Sequence, residues 1–160
     1  MKTRQKNYRS SMILIFTILL FTLIISYIKI IHMPYLNEQN RLTKIRDEII
    51  IKNDLAYDDY FYEHIRGSTT YVIAIIEDGK KIYQAYNQNN QQLDQFDQKI
   101  HPKKDIIKQF KDKYGFEPTN ISITYYQNRF VYFVQNKQND RIIYSYYQLS
   151  DGIFVESNQL

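Results

Sequence analysis

Three histidines and one group of acids are the side chains of this sequence that could do chemistry. His32, His64 and His101 are far apart in the chain, and none belongs to a recognisable nucleophile motif. The absence of cysteine excludes thiolate chemistry and thiolate metal sites, and the four glycines form no phosphate-binding loop. The sequence therefore predicts a protein that is not an enzyme and has no cofactor or metal, although spacing alone leaves open a triad built from distant residues.

Four acids follow one another at helical spacing near the end of a predicted helix: Asp54, Asp58, Asp59 and Glu63. Residues four apart share one face of a helix, so this group could hold a cation or contact a basic partner. The alternative is an ordinary solvated helix face. That alternative is favoured because the spacing matches no calcium-binding loop.

The second half of the chain predicts an antiparallel sheet. Its four strands are Ile121–Gln127, Phe130–Asn136, Arg141–Leu149 and Ile153–Glu156, separated by turns at Asn128-Arg129, Asn139-Asp140 and Ser150-Asp151-Gly152. With a two-residue turn at Asn128-Arg129, Ile123 faces Val134 and Tyr125 faces Tyr132. The face that results is assigned to the core: Ile121, Ile123, Tyr125, Phe130, Tyr132, Val134, Ile143, Tyr147 and Leu149.

The opposite face of this sheet, called the aromatic face below, carries Tyr126, Val131, Phe133, Tyr144 and Tyr146. A solvated sheet face is ordinarily polar, so this composition predicts that something covers it. Tyrosine suits a docking surface because it combines apolar area with a polar tip, which makes a partner-contact face one interpretation. The other, which we favour, is that the first half of the chain or a sheet neighbour covers these residues.

An apolar stretch near the N-terminus predicts a membrane anchor. Met12–Ile28 contains no charge, proline or glycine, and Met12–Ile31 has the length of a bilayer core if Lys29 extends to the headgroups. Tyr27 and His32 then lie near the membrane interface with Lys29. No small-residue cleavage site follows, which favours an uncleaved signal anchor.

The residues before the anchor set its orientation. The tail 1–11 carries Lys2, Arg4, Lys6 and Arg9 and no acid, which predicts a cytoplasmic N-terminus and an extracytoplasmic C-terminal part. These four charges equal the whole net charge of +4, so the sequence gives no sign of a nucleic-acid partner.

The exterior part predicts two successive units, residues 37–97 and 98–160. The first begins at Asn37 as the N-cap of a helix that runs to about Tyr60 and stops before Gly67. Its strands are Thr69–Glu77, Lys80–Asn87 and a short Leu93–Asp97, with a hairpin turn at Asp78-Gly79. The second begins with a helix that starts at Pro102 and ends at Gly115, ahead of the four strands above. The predicted fold class is α+β: a transmembrane helix, then two tandem units that each pack one helix on an antiparallel meander.

This order of parts resembles the TseB (YpmB) family of Gram-positive bacteria. The residues that carry the resemblance are Tyr71–Tyr86 and, more specifically, Arg129–Val155. Phe130–Val134 resembles the aromatic strand of the family, and residues 146–153 resemble its closing pattern Y-x-D-x-x-T-G-x. Within that pattern Gln148 stands where the family has Asp and Asp151 where it has Thr, while Gly152 is kept.

The resemblance implies PepSY-like units with a cystatin-like fold and a role without catalysis. Family members are similar to a regulator of cell-wall elongation that associates with a class B penicillin-binding protein, the transpeptidase of lateral wall synthesis. An anchored module suits that role because confinement to the membrane raises its effective concentration at a membrane partner. The alternative is an extracytoplasmic sensor or a peptidase-inhibitory binding module of the PepSY type.

Overall fold

A computed structural model describes residues 2–138 and 141–160, with side chains for 12–137 and 141–160. The predicted turn at Asn139-Asp140 lies outside the described residues. The helices are α1 (Lys2–Tyr27), α2 (Met33–Asn53) and α3 (Lys103–Tyr114), with a π-helical turn at Ile28–His32. The strands are β1 (Tyr57–Arg66), β2 (Ser68–Glu77), β3 (Lys80–Asn87), β4 (Gln92–Phe96), β5 (Asn120–Tyr126), β6 (Arg129–Gln138), β7 (Arg141–Gln148) and β8 (Phe154–Gln159). The chain divides into two compact units, Met1–Ile45 and Arg46–Leu160.

The N-terminal helix is long and apolar enough to span a membrane, and none of its most apolar stretch is buried against protein. Two of its threonines return their hydroxyls to the helix: Thr17 donates to the Ile13 carbonyl at 2.8 Å and Thr22 to the Ile18 carbonyl at 2.9 Å. These bonds reduce the cost of placing a hydroxyl in lipid. The helix is therefore compatible with a single-pass anchor.

The predicted break between the anchor and the next helix is wrong. Pro34 does not close the anchor and Asn37 is not an N-cap, because helical structure continues through both. The Met33 N–H donates to the Ile28 carbonyl, five residues back, so the helix is widened by one residue just before Pro34. A proline ring collides with the carbonyl four residues before it in a regular α-helix, and a π-turn relieves that collision.

The predicted end of the following helix is also wrong, because α2 stops at Asn53 and β1 takes the place of its last turns. Asp54 has φ +51°, a left-handed conformation that ends the helix. β1 is rich in tyrosine and phenylalanine, which favour strands, and Gly67 with φ +74° turns the chain so that Arg66 faces Ser68.

This correction separates the acid group. Asp54 follows α2, whereas Asp58, Asp59 and Glu63 lie on β1, so the four acids do not share a helix face. Asp58 instead pairs with Lys81 of β3, with Oδ2 2.7 Å from Nζ.

The first sheet has the strand order β1-β2-β3-β4 and is antiparallel throughout. Its β2–β3 hairpin turns at Asp78-Gly79 as predicted, with φ +50° and +73° and with Glu77 facing Lys80. The predicted strands of this region are present, and β1 is the strand that the prediction lacks.

The second sheet has the order β5-β6-β7-β8 and is also antiparallel. The predicted turn was one residue late: Gln127 and Asn128 occupy it, with φ +49° and +58°. Ile123 consequently faces Tyr132, not Val134, and Tyr125 faces Phe130, not Tyr132. A shift of two positions leaves every side chain on its predicted face, because side chains alternate along a strand.

One hydrophobic core contains the predicted core face of the second sheet, together with α3 and one face of the first sheet. It includes Ile106 and Phe110 of α3, Val72 and Ala74 of β2, and eight of the nine residues that we assigned to the core. The ninth, Ile121, is partly buried against it. The α+β class is thus confirmed, with two antiparallel sheets of four strands each, one strand more in the first sheet than predicted.

Tyr60 of β1 connects the two sheets through a single hydroxyl. That hydroxyl accepts the Ile123 N–H at 2.6 Å and donates to the Ile123 carbonyl at 2.9 Å. We expect Tyr60→Phe to lower the free energy of unfolding by about 1–2 kcal/mol, since it leaves backbone groups of β5 without this partner. The measurement is urea unfolding of the full chain in detergent micelles, followed by tyrosine emission.

Thr124→Val in the same strand is the matched control. Its hydroxyl is buried and has no hydrogen-bond partner in the described part of the chain. Removing this hydroxyl should leave the free energy of unfolding unchanged or raise it slightly. If Tyr60→Phe and Thr124→Val lowered the free energy of unfolding equally, the hydrogen bonds of the Tyr60 hydroxyl would not be what stabilises β5.

Candidate functional site

The aromatic face of the second sheet is partly covered, and β1 lies over it. Val131, Phe133 and Tyr146 are buried, with 0%, 5% and 1% of their surface exposed, while Tyr126 and Tyr144 are half-buried. The cluster that contains them also includes Tyr62 of β1 and Val155 of β8. The element that covers them thus comes from the first half of the chain. A partner contact through Tyr126 and Tyr144 stays a prediction.

His64 of β1 inserts its ring between the aromatic side chains of this face. The ring centroid lies 4.7 Å from that of Phe133, 5.8 Å from Tyr146 and 6.1 Å from Tyr126, all edge-to-face. The Tyr146 hydroxyl lies 3.4 Å from Nε2. Burial, and to a smaller extent the charge of Arg66, lowers the pKa of His64 to about 4, so the imidazole is neutral at physiological pH.

Arg66, two residues along the same strand face, sits on the two stacked tyrosines. Its guanidinium carbon is 5.0 Å from the Tyr126 ring centroid and 5.1 Å from that of Tyr146, and Nη1 pairs with Glu156 Oε1 at 2.8 Å. Tyr126 and Asn158 donate to the same carboxylate at 2.9 and 3.1 Å. Burial raises the pKa of Glu156, but these hydrogen bonds and the charge of Arg66 outweigh it and leave the pKa below its ordinary value.

A groove of about 490 Å³ runs beside β1. Five consecutive β1 residues, 62–66, form one wall, and its floor belongs to the aromatic face and to the polar residues beside it: Phe133, Gln135, Tyr144, Tyr146 and Asn158. Leu160 also lines the groove. A second cavity of about 370 Å³ begins on the other side of His64 and Arg66, against Asn87, Leu93 and Gln127. We call the first of these cavities the β1 groove.

The two histidines of the folded module have different surroundings. His64 faces aromatic rings and Arg66, and His101 lies elsewhere, with Nε2 3.7 Å from Asp105 Oδ2. Within residues 12–137 and 141–160, no three His, Asp or Glu side chains form a group that could hold a metal ion. The groove instead offers aromatic surface, side-chain amides, the Glu63 carboxylate and one cation already paired with Glu156.

The predicted membrane-interface residues lie at the junction of α1 and the π-helical turn. Tyr27 is the last residue of α1, and Lys29 and His32 belong to the turn. All three side chains are exposed. Their contact with a bilayer interface stays a prediction.

His64, Arg66 and Glu156 are not predicted as site residues because the prediction lacks β1: it gives Tyr57–Tyr60 to the end of a helix and no strand to the residues that follow. The signal that could have revealed β1 is the alternation of Tyr60, Tyr62, His64 and Arg66, which places all four on one face of a strand. Helical spacing of the neighbouring acids competes with that alternation and favours the wrong element.

No family model, curated protein or solved structure matches this chain.

Proposed function

We propose that this protein is a membrane-anchored, extracytoplasmic interaction module that regulates cell-wall elongation by associating with a class B penicillin-binding protein, and that it acts without catalysis. The observation that carries the proposal is the β1 groove, an aromatic-floored binding surface on a folded module behind one apolar helix. The cell-wall role rests on the resemblance of residues 71–86 and 129–155 to the TseB family. The basic tail supports a cytoplasmic N-terminus.

The anchor and the groove support this proposal together. A helix in the membrane restricts the module to two dimensions, so a modest affinity is enough to keep it beside another membrane protein. Aromatic residues and arginine are enriched in protein interfaces, and the groove combines Phe133, Tyr144 and Arg66.

In-cell photocrosslinking tests the proposal. A photoreactive amino acid is placed at Tyr144, on the groove floor, and in a second strain at Lys108, on the exposed side of α3. A fluorescent penicillin then labels any penicillin-binding protein in the crosslinked products. We expect a labelled adduct from Tyr144 and a weaker one or none from Lys108.

Absence of a labelled adduct from both positions, together with normal wall growth in a deletion strain, would contradict the cell-wall role. Adducts from Lys108 alone would keep the partner but move the contact surface to α3.

The groove also favours a second candidate function, an extracytoplasmic sensor or peptidase-inhibitory module. Its volume lies within the range of small-ligand pockets, and aromatic rings line it beside a few polar groups. The same crosslinks separate the two functions, because the second one predicts no penicillin-binding protein in the adducts: a peptidase-inhibitory module predicts a peptidase there, and a sensor of a small ligand predicts neither.

A further inference from the structure

β1 is the end strand of its sheet, and its outer edge lies at the groove. In the order β1-β2-β3-β4 it has β2 on one side and, among the described residues, no strand on the other. β5, one of the two edge strands of the second sheet, differs, because side chains occupy part of its backbone edge. At β5 the Tyr60 hydroxyl bonds both backbone groups of Ile123, and Thr70 donates to the Tyr125 carbonyl at 3.1 Å.

The groove follows the edge of β1 and not one of its faces. Consecutive side chains of a strand point to opposite faces, so a cavity on a face would touch every second residue. This cavity touches five in succession, residues 62–66. Its wall therefore includes the backbone edge, where N–H and C=O groups alternate.

We propose that the β1 groove binds an extended peptide segment of a partner protein, which adds to the first sheet as a fifth strand beside β1. Only an extended backbone presents donors and acceptors at the spacing of a strand edge. The inference rests on the proposed function, since it names how the module engages its partner.

The size of the groove agrees with a single strand. In packed sheets a residue advances about 3.3 Å along its strand, neighbouring strands lie about 4.8 Å apart and neighbouring sheets about 10 Å apart. The product of these three spacings gives a volume of roughly 160 Å³ for each extended residue. A volume of about 490 Å³ then accommodates roughly three residues.

The floor sets the side-chain chemistry of this segment. Tyr144 stacks on the buried Phe133 with centroids 5.6 Å apart and is itself half-buried, so its ring is the aromatic surface that the groove offers, which favours an apolar side chain above it. Of the two charged residues that line the groove, Arg66 is paired with Glu156 and Glu63 also has an interaction partner, so the groove offers little to a charged side chain. On the opposite face of β1, Ile65 is 71% exposed and provides an apolar neighbour for an alternate residue of the segment. The segment is therefore extended and uncharged, with apolar side chains.

Peptide selection on the full chain in detergent micelles tests the inference. A random seven-residue peptide library is selected on the protein, and the best peptide is synthesised together with versions N-methylated at each backbone amide in turn. We expect N-methylation at alternate positions to weaken binding about tenfold and at the positions between to have little effect, because only every second amide of a strand faces its neighbour. Bound peptide should also slow amide hydrogen exchange in residues 62–66 and leave β4, the other end strand, unchanged.

Two charge variants provide the matched comparison. Tyr144→Lys places a charge on the groove floor and should weaken the selected peptide about tenfold, whereas Gln92→Lys places the same charge on β4 and should not. The inference is overturned if N-methylation shows no alternation, if protection appears away from β1, or if no peptide distinguishes the wild type from Tyr144→Lys.

The two proposals can fail separately. Capture of a penicillin-binding protein from Lys108, without strand addition at β1, would keep the proposed function and overturn this inference. Strand addition at β1, without any penicillin-binding protein in the adducts, would support this inference and contradict the proposed function.

Discussion

Replacing Gly152 with alanine should lower the free energy of unfolding by about 2–4 kcal/mol, because two separate penalties act at this residue. Its φ of +75° is costly for any residue with a Cβ. A Cβ built there would lie only 2.5 Å from Cδ2 and 2.7 Å from Nε2 of the His101 ring. The His101 backbone is held in place, because its N–H donates to the Leu149 carbonyl at 2.9 Å and its carbonyl accepts the Tyr132 hydroxyl at 2.8 Å, so only rotation of the ring can relieve the clash.

Gly79→Ala is the matched control for Gly152→Ala. Gly79 has nearly the same φ, +73°, but an added Cβ meets nothing within 4 Å, so only the backbone penalty of about 1–2 kcal/mol applies. Urea unfolding of both variants in micelles, read by the emission of the 16 tyrosines, gives the difference. Adding His101→Ala to Gly152→Ala should restore part of the loss. Equal losses at Gly152 and Gly79 would show that the His101 contact is unimportant.

The second sheet could be predicted from the sequence because each of its signals is local. Its turn residues, alternating side chains and Gly115 at the end of α3 specify elements without reference to the rest of the chain. The one error there, a turn placed one residue late, shifted the register by two positions and left both faces correct. Core residues such as Phe110 and Val134 were identified for this reason.

The candidate site could be predicted only in part, because it depends on a long-range contact. Phe133 and Tyr146 were found from strand periodicity, but His64 lies 82 positions before Tyr146 in the chain, and only the folded structure brings the two together. At β1 itself, the helical spacing of the pairs Asp54/Asp58 and Asp59/Glu63 competes with the strand preference of the tyrosines. Tertiary packing decides such cases, since propensity and spacing are weak when they disagree.

Lowering the pH should first destabilise the protein through protonation of His64. The carboxylates of the protein affect its stability only at lower pH. The pKa of His64 is about 4 in the folded chain, against an ordinary value of 6.5 when the chain is unfolded. As the pH falls below about 6.5, the unfolded chain binds a proton that the folded chain does not, so the free energy of unfolding decreases until the pH reaches about 4. The full loss is about 3 kcal/mol, of which about 2 kcal/mol falls between pH 7 and pH 5.

His64→Phe isolates this contribution because phenylalanine keeps a ring against Phe133 and Tyr146 but cannot titrate. Urea unfolding at pH 7, 6 and 5 should show a decline of about 2 kcal/mol in the wild type that is absent from the variant. Measuring above pH 5 also avoids Glu156, whose pKa lies below 4.5 in the folded chain and whose stabilising contribution is lost only at lower pH. The same pH slope in both proteins would mean that His64 is not held neutral by its aromatic surroundings. Loss of the slope in His64→Phe would instead establish that β1 stays packed on the aromatic face in solution, which is the condition for a groove along its edge.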